Sequence, residues 1–130
     1  MILADIREPR VECEGALFVK TDINSWKALV NLFQVAFEQH RRIDIVCANA
    51  GIVGQADYVD LQDDQNGDLL QPSRRNLEVD LLGTMDTVAL GIHYIKRNLD
   101  GGSVVVTGSP AGESGCLSFK TNMRKIDVIS

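Results

Sequence analysis

The stretch Ile43-Asp44-Ile45-Val46-Cys47-Ala48-Asn49-Ala50-Gly51-Ile52 decides the fold. Its first half is dense in β-branched and small apolar residues without polar alternation, so it reads as a strand buried on both faces. Asn49-Ala50-Gly51 then stops the strand in a turn. Upstream, Ala16-Leu17-Phe18-Val19 is a shorter apolar run closed by Lys20-Thr21-Asp22, a second strand. Between the two lies a helical stripe, with Trp26, Leu29, Val30, Phe33, Ala36 and Phe37 on one face. Asn24 serves as its expected N-cap, and His40-Arg41-Arg42 place cations at its C-terminal end, where the helix dipole favours them. Met1-Ile2-Leu3-Ala4 reads as a further strand ending at Asp5, so the chain opens inside a strand without a leader.

Downstream, residues 54–73 are polar and acidic, with Asn66-Gly67 and Pro72 as breakers, and predict a loop with room for one helical turn. The spacing then predicts a helix over 74–98, with Leu81, Leu82, Met85, Val88, Ala89, Ile92 and Ile95 on its broad apolar face. Gly101-Gly102 ends it. Ser103-Val104-Val105-Val106-Thr107 follows as a strand and runs into Gly108-Ser109-Pro110-Ala111-Gly112. Strands alternating with helices in this way predict an α/β fold, a doubly wound parallel sheet of the Rossmann kind with both faces covered. Residues 1–115 form one incomplete domain in this reading. Residues 116–130 show neither a helix stripe nor a strand and form an unassigned tail.

The whole chain fits that class. Its 130 residues carry 13 Lys+Arg against 18 Asp+Glu, a formal net charge of −5, which argues against a nucleic-acid or anionic-membrane surface. No apolar run approaches the roughly 20 residues of a membrane span. Three cysteines without a CxxC pair fit a reducing compartment and predict a cytoplasmic protein.

In open α/β sheets ligands bind at the carboxyl ends of the strands. Those ends hold Asp5, Asp22, Asn49-Ala50-Gly51 and Ser109. Residues 43–52 resemble the (I/L)D-x-L-V-x-NAG motif of the short-chain dehydrogenase/reductase family. Residues 102–112 are similar to its later strand ending in S-x-A-G, and Val79 to Gly83 match a V-x-L-x-G helix element in the right order between them. The resemblance covers about residues 2–112. It implies transfer of hydride between NAD or NADP and a secondary alcohol or ketone. It also implies roles for single residues. Asp5 would hydrogen-bond the adenine ribose and favour NAD, although Arg7 nearby could tolerate a phosphate; a solvated turn acid is the other reading. Asp22 and Ile23 match the pair flanking the adenine ring, and Asp22 could equally cap the following helix. Asn49, Ala50 and Gly51 would line the cofactor, or simply end a strand. Ser109 aligns with the catalytic serine, or forms a Ser-Pro turn. Asp80 aligns with the family's helix asparagine of the proton relay. The 90–94 stretch most resembles branches acting on hydroxylated lipids or secondary metabolites. The long helix would support a homo-oligomer, with Gly83 and Gly91 permitting close packing.

The sequence also departs from the family's pattern. The family's tyrosine, whose proton a lysine four residues on makes available near neutral pH, has no counterpart after Ser109. Tyr58 and Tyr94 both precede Ser109 and are followed at that spacing by Gln62 and Asn98. The TGxxxGxG pyrophosphate loop is absent too, and with it the first strand of the order 3-2-1-4-5-6. Two strand edges would then stand open to mispairing. The expectation is that these residues alone neither bind NAD(P) tightly nor turn over alcohols. The alternative to an enzyme is a non-catalytic truncated paralogue or relic that at most associates with a full-length relative.

Three lesser patterns are set aside. Thr107-Gly108-x-x-x-Gly112 lacks the last glycine of a cofactor loop. Gly112-Glu113-Ser114-Gly115-Cys116 lacks that of a nucleophile elbow. Gln62-x-Asp64-x-Asn66-Gly67 hints at a calcium loop but starts on Gln and has Ser73 at its twelfth position, so a solvated acidic loop is expected.

Overall fold

The computed structural model describes residues 1–11, 13–54, 60–108 and 126–129, with side chains described as far as residue 108. Strand β1 (Ile2–Asp5) pairs in parallel with β2 (Leu17–Lys20), Ile2 opposite Leu17 and Asp5 opposite Lys20. Strand β3 (Ile45–Ala48) pairs in parallel with β4 (Ser103–Val106), Ile45 opposite Ser103 and Ala48 opposite Val106. Among the described residues β1 and β3 each have a hydrogen-bonded neighbour on one side only. The order 3-2-1-4-5-6 without its first strand leaves the same two edges.

Helix α1 (Trp26–His40) joins the two sheets. Ser25 is its N-cap, its side chain accepting the Ala28 N–H at 3.3 Å. The expected cap, Asn24, lies one residue too early to reach that N–H. The C-cap Arg41 takes the left-handed conformation at φ 60° and returns its N–H to the Phe37 carbonyl. The core sits between α1, β3, β4 and α2 (Thr84–Ile95). It is built from Leu29, Phe33, Val46, Leu90, Tyr94, Ile95 and Val104. Tyr94 stacks on Phe33 with ring centroids 5.6 Å apart and meets Phe37 at the same distance.

Three expectations need correction. First, among the described residues β3 is covered on one face only: Val46 and Ala48 are buried with Val104 and Val106 of β4, whereas Ile45 and Cys47 are exposed and Ser103 and Val105 of β4 are half-buried. Their apolar content exceeds what the described helices cover. Second, the 74–98 helix is not one regular element. A π-helical stretch, Leu77–Gly83, precedes α2, and the helical run ends at Ile95. The buried positions are Val79, Gly83, Thr84, Leu90, Gly91, Tyr94 and Ile95, while Leu81, Leu82 and Met85 are exposed. The packed face is marked by small residues that let the backbones approach, not by the largest side chains. A Cβ on Gly91 would lie 3.2 Å from Val46 Cγ2. Third, the unassigned tail contains a strand, β5 (Ile126–Ile129), antiparallel to β4. Four residues are too few for periodicity to reveal, and the free edge of β4 provides the hydrogen bonds.

Candidate active site

The carboxyl ends of β1, β2 and β3 carry the polar residues that the sequence singles out. At the end of β1 the Asp5 carboxylate is exposed and accepts the Arg7 N–H at 2.9 Å. That bond makes a local turn and fixes one oxygen, and no other described group donates to Asp5. Thr21 follows β2 and is almost wholly buried; its N–H reaches the Asp5 carbonyl at 2.9 Å and its hydroxyl donates to the Val19 carbonyl at 3.0 Å. Thr21 therefore ties the two strand ends together, a role its polar character does not announce in sequence. Asp22 is exposed and accepts the Asn24 N–H at 2.9 Å, which shapes the turn ahead of Ser25. It is not the N-cap. Ile23 lies half-buried against the core, and a Cβ on Gly83 would fall 2.7 Å from its Cδ1. Gly83 is thus required for the turn after β2 to dock on the helix.

A second cluster forms after β3. Asn49, Ala50 and Gly51 are exposed, and Thr107 N–H donates to the Ala48 carbonyl at 3.1 Å, extending the β3–β4 pairing up to the turn. Asp80, on the π-helical stretch, accepts the Ile52 N–H at 2.8 Å. A Cβ on Gly51 would sit 3.3 Å from Asp80 Oδ1. The structure therefore brings Asp80 and the Asn49–Gly51 turn together across 28 residues of chain. π-Helical turns are rare and concentrate at functional sites.

Several residues do not join the site. Ser109 and Tyr58 lie outside the described residues, as does the Gly112–Cys116 pattern. Tyr94 is only 7% exposed and belongs to the core. Leu90 and Gly91 are buried with it, so these residues of the 90–94 stretch serve packing. Gly83 and Gly91 face Ile23 and Val46 of the same chain, so they serve internal packing. The acidic loop closes on itself: Asp64 accepts the N–H groups of Asn66 at 2.8 Å and Asp68 at 2.9 Å, and Asp63 bridges to Leu69. Those bonds, the Asp68 one foremost, hold the Asp64 carboxyl below the usual carboxylate range. No group of three His, Cys, Asp or Glu that could hold a metal occurs among the described residues.

The exposed Asp5 carboxylate is held by one backbone N–H and retains an acceptor oxygen, and the turn after β3 exposes its backbone at the strand end. Among the described residues no helix of the chain is long and apolar enough to cross a membrane.

Known proteins agree with this architecture. The family described as short chain dehydrogenase matches residues 3–121, and the chain belongs to it. The short-chain dehydrogenase/reductase ascJ of Acremonium egyptiacum is 38% identical over 119 residues, covering 88% of this chain and 40% of that protein. An uncharacterized NAD-dependent oxidoreductase of Mycobacterium tuberculosis is 35% identical over 104 residues, covering 78% of this chain and 35% of that protein. The crystal structure of a short-chain dehydrogenase from Mycobacterium smegmatis superposes with a TM-score of 0.61 at 28% identity, over 75% of this chain and 38% of that one. That of a short-chain type dehydrogenase/reductase from Mycobacterium marinum gives 0.62 at 20% identity, covering 82% and 40%, and shows the fold alone. The chain spans about two fifths of the length of the first of these relatives.

Proposed function

We propose that this member of the short-chain dehydrogenase family is an NAD(P)-dependent oxidoreductase acting on a secondary alcohol or ketone, with the present residues forming the adenosine-facing rim and the turn beside the cofactor. The observation that carries the reading is the alignment of Asp5, Asp22 and Asn49–Gly51 at the carboxyl ends of parallel strands, with Asp80 anchored to the last of them. When bound, the nicotinamide supplies or accepts the hydride. Asp5 would hold the adenine ribose hydroxyls, and its negative charge favours NAD over NADP by repelling a 2′-phosphate. Asp22 and Ile23 would border the adenine, Ile23 doing so from a position fixed by Gly83. Asn49, Ala50 and Gly51 would bring the backbone alongside the cofactor, and Ser109 would hydrogen-bond the substrate oxygen. Asp80 keeps the turn in place through Ile52 N–H. Cys13 and Cys47, free among the described residues, suit a cytoplasmic setting. Leu77, Leu81, Leu82 and Met85, exposed on the helical run, would carry association with a second copy.

A specific observation favours a narrower second reading for the 130 residues by themselves. They contain no Tyr-x-x-x-Lys, and Tyr94 is locked between Phe33 and Phe37. The one phenol among the described residues is then held in the core, and without a Tyr-x-x-x-Lys pair the polypeptide alone would not exchange a proton with a substrate oxygen. Calorimetric titration with NAD and NADP, and nicotinamide absorbance in the presence of secondary alcohols, test this directly. The expected result is neither micromolar binding nor turnover; either one overturns the second reading. The enzyme reading is tested in the flanking genomic DNA. An in-frame TGxxxGxG before residue 1 and Tyr-x-x-x-Lys after residue 130 support it, and stop codons on both sides overturn it.

A further inference from the structure

Asp80 has a companion that neither composition nor motif brings forward. Asn76 stands four residues earlier, on the same side of the helical run. It occupies the N-cap position of the π-helical stretch but makes no side-chain cap hydrogen bond there. Its amide lies instead against Gly54. A Cβ built on Gly54 would overlap Asn76 Oδ1, Cγ and Nδ2, so only a hydrogen fits at that position. Asp80 meets the same loop at Gly51 and Ile52. The loop leaving β3 is thus held at two points, by a carboxylate hydrogen bond at Ile52 and by close amide packing at Gly54.

We propose that Asn76 is a positioning residue that, together with Asp80, sets the path of residues 51–54 and so the wall of the site beyond the β3 strand end. The proposal rests on the functional reading given above only for what the wall faces; the contact itself is a property of this chain. Asn76 is the N-cap of the π-helical stretch and Asp80 lies within it, and the two side chains meet the same loop, Asp80 at Ile52 and Asn76 at Gly54. An aliphatic residue at 76 would fill space but could not present a flat, thin amide edge to a Cα. Alanine at 54 would have to push that edge away.

Amide hydrogen exchange of the 130-residue chain, which needs no ligand, tests the contact. Exchange at Ile52 reports the Asp80 bond, and exchange at Leu29 and Val104 reports the core. Gly54→Ala is expected to speed exchange at Ile52 by about tenfold, and Asn76→Ala alone by about threefold, with the core amides unchanged. In the double variant, removal of the amide makes room for the new methyl, and exchange at Ile52 returns to the level of Asn76→Ala. A purely structural defect at either site would instead add to the other and spread to the core amides. The proposal is overturned if Gly54→Ala leaves Ile52 unchanged or if the double variant is no slower than Gly54→Ala. Should Gly54→Ala fail to fold, Asn76→Ala decides: faster exchange confined to the loop supports the proposal, and wild-type exchange ends it. Failure of cofactor binding leaves these outcomes untouched, so the two readings fail separately.

Discussion

The two parallel strand pairs are alike in length and pairing and opposite in burial. Each is four residues against four in parallel register. In β1 and β2 no residue is buried, whereas β3 and β4 bury Val46, Ala48, Val104 and Val106 beneath the helices. Backbone hydrogen bonds are thus equal in kind, and what separates the pairs is apolar area removed from water. The chemistry straddles the divide. Asp5 and Asp22 stand on the uncovered pair, and Asn49–Gly51 with Asp80 on the covered one. The rim proposed to face the adenosine therefore rests on the less covered half of the molecule, where local opening is expected first.

Truncating one side chain in each half breaks or upholds that contrast with the largest effect. Leu29 is 0% exposed and touches the core from α1. Leu29→Ala is expected to lower unfolding free energy by about 3 kcal/mol, through lost transfer energy and a cavity. Leu17, exposed on β2, should cost under about 1 kcal/mol on the same change. Urea unfolding followed by circular dichroism measures both. Equal losses would show that the β1–β2 pair is covered as well as its counterpart.

The next effect tests how the halves are joined. A Cβ on Gly83 would meet Ile23 Cδ1 and Cγ1 at 2.7 Å, so Gly83→Ala forces the turn after β2 away from the helix. Overpacking of this kind costs about 1–3 kcal/mol. Ile23→Ala in the same chain removes both colliding atoms and should recover part of that loss, a non-additivity visible in a double-mutant cycle. Strict additivity would mean that the halves are not coupled at this contact.

The contrast explains what was legible in the sequence. The strands β2, β3 and β4 and helix α1 were readable because apolar runs and a 3.6-residue stripe mark them directly. The Asn49-Ala50-Gly51 turn was readable because it stops an apolar strand, and the Val79–Gly83 helix element through its resemblance to the family's motif. The exposed face of β3 was not, since Ile45 and Cys47 look as apolar as Val46 and Ala48. The packed face of the long helix was misread because Gly83, Thr84 and Gly91 bury through smallness, while Leu81, Leu82 and Met85 look like core and stand in solvent. The Asn76–Gly54 contact depends on the path of a π-helical turn, which no periodicity encodes. Ser25 took the cap from Asn24 by a difference of one residue, below the resolution of any spacing argument.

The smallest effects lie in the exposed charges, and they sharpen the contrast by showing what does not hold the molecule together. Arg42 donates to Asp44 and, at 3.1 Å, to Asp100, at the amino ends of β3 and β4. Hydrogen bonding and charge from Arg42 hold the Asp100 carboxyl below its ordinary value. Asp64 is depressed as well, but chiefly by backbone N–H groups. For both, a lowered folded pKa means a stabilising contribution that is full above the ordinary carboxylate range and lost as pH falls through the folded value. The two should part company in salt. At about 1 M ionic strength screening reaches across the exposed Arg42–Asp100 pair, so Asp100 should titrate closer to its ordinary value, while Asp64, held by backbone groups, moves less. Carboxyl carbon NMR titrations at low and high salt measure both shifts, and Arg42→Ala should reduce the shift at Asp100, where a backbone hydrogen bond remains, and leave Asp64 unchanged. A larger salt response at Asp64 would mean that distant charge governs the acidic loop and that its own backbone does not.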